Sequence, residues 1–139
     1  MTSLVKKDIT ARDRINVEAS KHQILKELTE VKESPFSTMK EVFMLAACVG
    51  YSNGDRASLG QKLGIFDWSV FSEEEDIPVL RALALSSDLD VDEIENQDQL
   101  LTIVEEYANS GIDVLKQEII DKPGNFVDKV VRFFEQQLE

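Results

Sequence analysis

Gly64-Ile65-Phe66-Asp67-Trp68-Ser69-Val70-Phe71, followed by Ser72-Glu73-Glu74-Glu75-Asp76, is the stretch on which the fold assignment turns. It holds the only tryptophan and, with Phe66, Phe71 and nearby Tyr51, the densest group of aromatics outside the predicted helices. Each such side chain buries roughly 150–250 Å², so Phe66, Trp68 and Phe71 are expected to plug a gap between helices and fix how they cross. From Tyr51 to Phe71 the sequence shows no sustained two-residue alternation and at most one helical turn, around Leu59 to Leu63. A connection of that length in a small domain is functional or internally packed, and the aromatics predict packed. With this stretch as a loop, helices are the only regular structure left on either side.

Upstream, Thr38 and Glu41 have the spacing of a capping box, and Met39 to about Val49 is apolar nearly all round. Such a helix belongs in the middle of a domain. Gly50 and Ser52-Asn53-Gly54-Asp55 are expected to end it with turn chemistry. Before it, Ile24, Leu25, Leu28 and Val31 predict a helix from about Ser20 to Glu33, stopped by Pro35. Residues 1–17 have little apolar periodicity and carry Lys6, Lys7, Arg12 and Arg14, which predicts a mobile or loosely docked arm ahead of a single helical domain over 18–139.

Downstream, Ser72 and Glu75 repeat the capping-box spacing and Pro78 falls in a first turn, so a helix should cover about Glu74 to Leu85. A short helix capped by Asp90 or Asp92 would follow through Ile94, and a long one from about Asp98 to Ile120. Gly111 inside the long helix costs about 1 kcal/mol relative to alanine, so either a neighbouring backbone comes close there or the helix bends. Asn125 caps a last helix lined on one side by Phe126, Val127, Val130, Val131, Phe134 and Leu138, with Phe133 at its flank. The prediction is an all-α bundle of five or six helices with a long aromatic-packed loop.

The chain has 139 residues and a formal net charge of −12, unevenly placed. Residues 1–62 hold ten Lys/Arg against eight Asp/Glu, and residues 63–139 hold five against nineteen. Nucleic-acid affinity leans on cations that neutralise phosphates, so the second half is poorly suited to it. An acidic surface of this kind keeps a protein soluble or docks a basic partner. No apolar run approaches the roughly 20 residues of a membrane-spanning helix. The lone cysteine precludes an internal disulfide and agrees with a cytoplasmic location.

The usual carriers of chemistry are incomplete. His22 is the only histidine and Cys48 lies in the most apolar helix, so neither a zinc site nor a Cys-His nucleophile has its partners. Asp88-Leu89-Asp90-Val91-Asp92 opens like a calcium loop, but Glu93 and Gln99 stand where glycine and a bidentate glutamate are needed. Glu30-Val31-Lys32 and Glu105-Glu106 fall on helices, where such close neighbours diverge. Gly60 and Gly64 lack the Gly-Lys-Ser/Thr element of a phosphate loop. No catalytic, cofactor-binding or metal-binding residue is therefore assigned. Lys6, Lys7, Arg12 and Arg14 are the candidate DNA contacts, and Phe66, Trp68, Phe71 and Gly111 the structural anchors.

The order Pro35-Phe36-Ser37-Thr38-Met39-Lys40, a helix ending Gly50-Tyr51, Asp67-Trp68-Ser69-Val70-Phe71, a Leu/Ala helix from Leu80 to Leu85, and Glu105-Glu106-Tyr107-Ala108-Asn109-Ser110-Gly111-Ile112-Asp113-Val114-Leu115 resembles the DNA phosphorothioation-associated protein 4 family. The Trp-x-Val-Phe and Gly-Ile-x-x-Leu elements are more distantly similar to DndE. The resemblance covers residues 12 to 120 and rests on packing residues. It implies a small helical accessory or regulatory subunit of a bacterial phosphorothioation-linked modification, restriction and phage-defence system, working with larger ATPase and nuclease subunits. DndE-like proteins contact DNA through basic surface residues, whereas this chain is acidic where it matches best, which favours an adaptor. The alternative is a small DNA-binding module that uses the basic N-terminal arm and self-associates.

Overall fold

Thr38 opens the central helix as its spacing with Glu41 requires. Its hydroxyl accepts from the Glu41 N–H, and the Glu41 carboxylate accepts from the N–H groups of Ser37 and Thr38. Those N–H groups, Ser37 first, hold the Glu41 carboxyl below its ordinary value. The computed structural model describes residues 13–32, 34–87, 92 and 96–138. Their elements are β1 (Arg14–Glu18), α1 (His22–Glu30), α2 (Met39–Ser52), β2 (Lys62–Asp67), α3 (Asp76–Ser86), α4 (Gln97–Leu115) and α5 (Phe126–Gln137). A π-helical turn, Lys116–Ile120, extends α4. The expected short helix through Ile94 lies outside the described residues apart from Asp92.

The all-α prediction is corrected by β1 and β2, which pair antiparallel and make the fold mixed. Neither strand has a sequence pattern long enough to announce itself. β1 has two apolar residues among charged and polar ones, Ile15 at 0% exposure and Val17 at 2%. In β2 the alternation is broken by Gly64 and by a bulge that leaves Ile65 without an opposite residue between the pairs Ile15–Phe66 and Asn16–Gly64. Burial of Ile15 and Val17 takes the backbone with them, and a buried backbone must find hydrogen-bond partners. β2 supplies them along one edge, and the Asn16 N–H donates to the Glu105 carboxylate at 2.7 Å. Arg14 to Val17, placed in the arm by the sequence, are thus strand and core.

The helices follow from their apolar spacing with some changes at their ends: α1 stops at Glu30, leaving Val31 extended. Gly50 does not end α2, which continues to Ser52. At α3 the Ser72 hydroxyl accepts from the Glu75 and Asp76 N–H groups, while the reciprocal carboxylate is that of Asp76 and not of Glu75. Asp76 also pairs with Lys40 of α2 at 2.8 Å. Burial pushes its carboxyl up, but the Lys40 ammonium and the Ser72 N–H outweigh this and hold it below the ordinary value.

The core centres on the crossing of α2 and α4. Val42, Phe43, Ala46 and Ala47 face Leu101, Val104, Ala108 and Ile112, all buried, with α1, α3, α5 and the sheet around them. The two helices touch backbone to backbone. A Cβ on Gly50 would lie 2.0 Å from the Tyr107 carbonyl oxygen, and one on Gly111 1.8 Å from that of Ala46. Gly111 therefore admits the backbone of α2, the close approach that was one of its two expected explanations. No helix among the described residues is long and apolar enough to cross a membrane.

Candidate functional site

The segment Glu105 to Asp113 of α4 carries most of the polar contacts that join distant parts of the chain. Glu105, 3% exposed, receives β1 through Asn16. Glu106 accepts from Nε and a terminal nitrogen of Arg56 at 3.1 and 2.9 Å, and its backbone carbonyl accepts from the Ala57 N–H. The Arg56 guanidinium also stacks over the Tyr107 ring at 5.6 Å and donates to Ser87, which the Tyr107 hydroxyl also meets at 3.0 Å. Asn109, again 3% exposed, donates to the carbonyls of Ala57 and Ser58. Ser110 donates to Asp55, and Asp113 pairs with Lys21 at 3.0 Å. Glu18 closes the ring: its carboxylate accepts from Gly60 N–H at 2.8 Å and from Ser20. The Gly60 N–H, first among these donors, holds it below the ordinary value.

These side chains are arranged as ties. Glu105, Asn109 and Ser110 are turned toward backbone amides, carbonyls and a single aspartate across the helix. The chemistry they perform is to satisfy the irregular backbone of residues 55–60 and the inner edge of β1. Sequence reasoning missed Arg56, Asn109 and Ser110, and grouped Lys21 with the basic arm. One signal was available: Glu105 lies four residues after Leu101 and three before Ala108, on an apolar stripe where a carboxylate must have a donor.

Of the candidate DNA contacts, Lys6, Lys7 and Arg12 lie outside the described residues. Arg14 sits on the outer side of the sheet and pairs with Asp67 at 3.0 Å, both side chains about half exposed. Phe66, Trp68 and Phe71 form one cluster with Phe43 of α2: ring centroids lie 5.4 Å apart for Phe66–Phe71, 5.6 Å for Trp68–Phe71 and 6.0 Å for Phe43–Phe66. The first two and the third are edge-to-face, the favoured arrangement of aromatic pairs. His22 is the first residue of α1. Of the calcium-like run only Asp92 is described, and among the described residues no three His, Cys, Asp or Glu side chains converge as metal ligands.

One surface is apolar. A hollow of about 210 Å³ lies between α2 and α5, lined by Leu45, Cys48, Val49, Ser52, Phe134 and Gln137. Cys48 is half-buried there and burial pushes its thiol up, away from the reactive thiolate.

The sequence profile of the family described as DNA sulphur modification system-associated protein 4 matches residues 14–139. The chain belongs to this family. The match begins at Arg14, the first residue of β1, and takes in every element of the fold. Lys6, Lys7 and Arg12 stand before it. The family is associated, by its description, with a DNA sulphur modification system. Among curated proteins and among solved structures, none matches the chain.

Proposed function

We propose that this member of the family is a non-enzymatic accessory or regulatory subunit of a bacterial DNA phosphorothioation-linked modification and restriction system, and that it acts in the cytoplasm through protein contacts. The observation that carries the reading is the use made of one segment within the family match. Within Glu105 to Asp113, the polar groups hold β1, residues 55–60 and α1 in register on α4, which is the work of a scaffold. A net charge of −12 sets a repulsive field against DNA, and Arg14 already faces Asp67. Partners would be the larger ATPase and nuclease subunits of the same system.

The test is co-purification of the tagged chain with the system's other proteins, beside gel shifts on nicked and intact duplex at two salt concentrations. Recovery of a large subunit with no shift is expected. A shift that weakens steeply with salt and disappears when Lys6, Lys7, Arg12 and Arg14 are changed to Gln would replace this reading with direct DNA contact.

A further inference from the structure

The exposed apolar residues of α5 are ordered. Val127, Val131, Phe134 and Leu138 recur at spacings of four, three and four, which at 3.6 residues per turn keeps them within roughly 60° of arc. On one side of this stripe are the buried Val130 and Phe133, which fasten α5 to the core. On the other side are Asp128 and Glu135, with Arg132 beside both, all three exposed. Among the described residues neither carboxylate enters an ion pair.

The inner edge of the stripe opens on the hollow against α2. Leu45, Cys48, Val49 and Ser52 stand there at the i, i+3, i+4, i+7 spacing, with Phe134 as the facing wall. Four residues so spaced are the hole that receives one apolar knob from a neighbouring helix. The surface thus has a socket, an apolar stripe beside it and an outer lip of two carboxylates to one guanidinium. Helix-in-groove recognition uses these parts.

Charge selects the occupant. In a two-fold contact the same patch meets itself, so a second copy would bring together two lips that each hold more carboxylate than guanidinium, on chains of net charge −12. Like charges so placed are strongly disfavoured. A helix with cations along the flank that meets Asp128 and Glu135 turns the same geometry into attraction.

We propose that the groove between α2 and α5 seats an amphipathic helix of a partner protein, with an apolar ridge in the socket and Lys or Arg along the flank facing Asp128 and Glu135. The proposal rests on the accessory-subunit reading and names the surface it uses.

The probe is a synthetic helical peptide of about three heptads with Leu at the a and d positions and Lys at the flanking ones. Two controls accompany it: the same peptide with Glu for Lys, and a scrambled peptide of identical composition. Binding to the full chain is read by fluorescence anisotropy at low and at about 0.15 M salt. The basic amphipathic peptide should bind at least roughly tenfold more tightly than either control. Phe134→Ser should abolish the difference, and Asp128→Lys with Glu135→Lys should transfer the preference to the Glu peptide. Changing Glu73, Glu74 and Glu75 to Gln should leave it intact. Equal binding of the scrambled peptide, an unchanged preference after charge reversal, or a dimer by light scattering that Val131→Asp converts to monomer would each overturn the proposal. Should Phe134→Ser fail to fold, the two charge reversals at exposed positions decide alone. In cells expressing the modification system, recovery of a subunit by the parent chain only supports the groove. Recovery of the same subunit by the reversed chain overturns the groove and leaves the accessory role standing. Recovery of none by either overturns both.

Discussion

Gly111 is where a single atom matters most. In an exposed helix interior, Gly→Ala gains about 1 kcal/mol, but here the added Cβ would lie 1.8 Å from the Ala46 carbonyl oxygen. The sign should therefore reverse, with a loss of at least about 1–3 kcal/mol from overpacking, seen as a lower urea midpoint at unchanged slope. An increase in the midpoint would show that α2 and α4 can part at no cost. Glu105 offers a second residue-scale test. Glu105→Gln keeps a carbonyl oxygen for the Asn16 N–H, whereas Glu105→Leu leaves that donor buried and unmatched. The leucine variant should be less stable than the glutamine variant by about 1–3 kcal/mol, measured by the same denaturation. Gly111 was legible as one of two alternatives, close approach or bend, because glycine inside a long apolar helix needs a reason. Its neighbour was not legible, since nothing in the local sequence of α4 points to Ala46.

At the scale of elements, the helices were readable and the strands were not. Met39 to Val49 is apolar through three turns and announces itself, and Thr38 with Glu41 marks its start through bonds that span three residues. β1 depends on partners far away: Phe66 across the bulge, and Glu105 on α4. Two apolar residues in five carry no period that could be told from chance, so tertiary burial decides the strand and local propensity does not. Among the site residues the same division holds. The aromatic cluster was foreshadowed by composition, while the ties from Asn109, Ser110 and Lys21 join segments 51–92 residues apart that no spacing rule connects. If β1 is integral to the core, Ile15→Ala should cost about 2–5 kcal/mol, as for any fully buried isoleucine. A cost near zero would return residues 14–17 to the status of an arm. The start of α3 makes a prediction in pH. Asp76 is held below its ordinary value of 3.8, so its contribution is present above that value and lost as the pH falls through the lower, folded one. Asp76→Asn should lower the urea midpoint at pH 7, and the gap to the parent chain should close on acidification from about pH 4 downward. A gap that stays constant to low pH would mean the variant acts through packing alone.

The whole molecule is set by charge. Its net −12 is concentrated after residue 62, and self-repulsion of that kind weakens the compact state. Added NaCl screens it, with a Debye length of about 10 Å at 0.1 M. The thermal midpoint at pH 7 should therefore rise between about 10 mM and 150 mM salt, a direction opposite to that of a fold held chiefly by its surface ion pairs; calorimetry across the series distinguishes them. The same acidic field was visible in composition alone. What composition could not convey is that α5 leaves Val127, Val131, Phe134 and Leu138 uncovered beside it, because the sequence had turned all four inward with Val130 and left the buried Phe133 at the flank.

The placement of β1 also sets a clock. Asn16 bonds to Glu105 across 89 residues and Lys21 to Asp113 across 92. During synthesis at about 5–20 residues per second, the ribosome needs roughly 4–18 s between making the strand and making the helix that receives it. For that interval Ile15 and Val17 can pair with β2 but lack the helix that completes the core beside them. The strand made first among the described elements is thus one of the last to be completed, and chain order alone sets the delay.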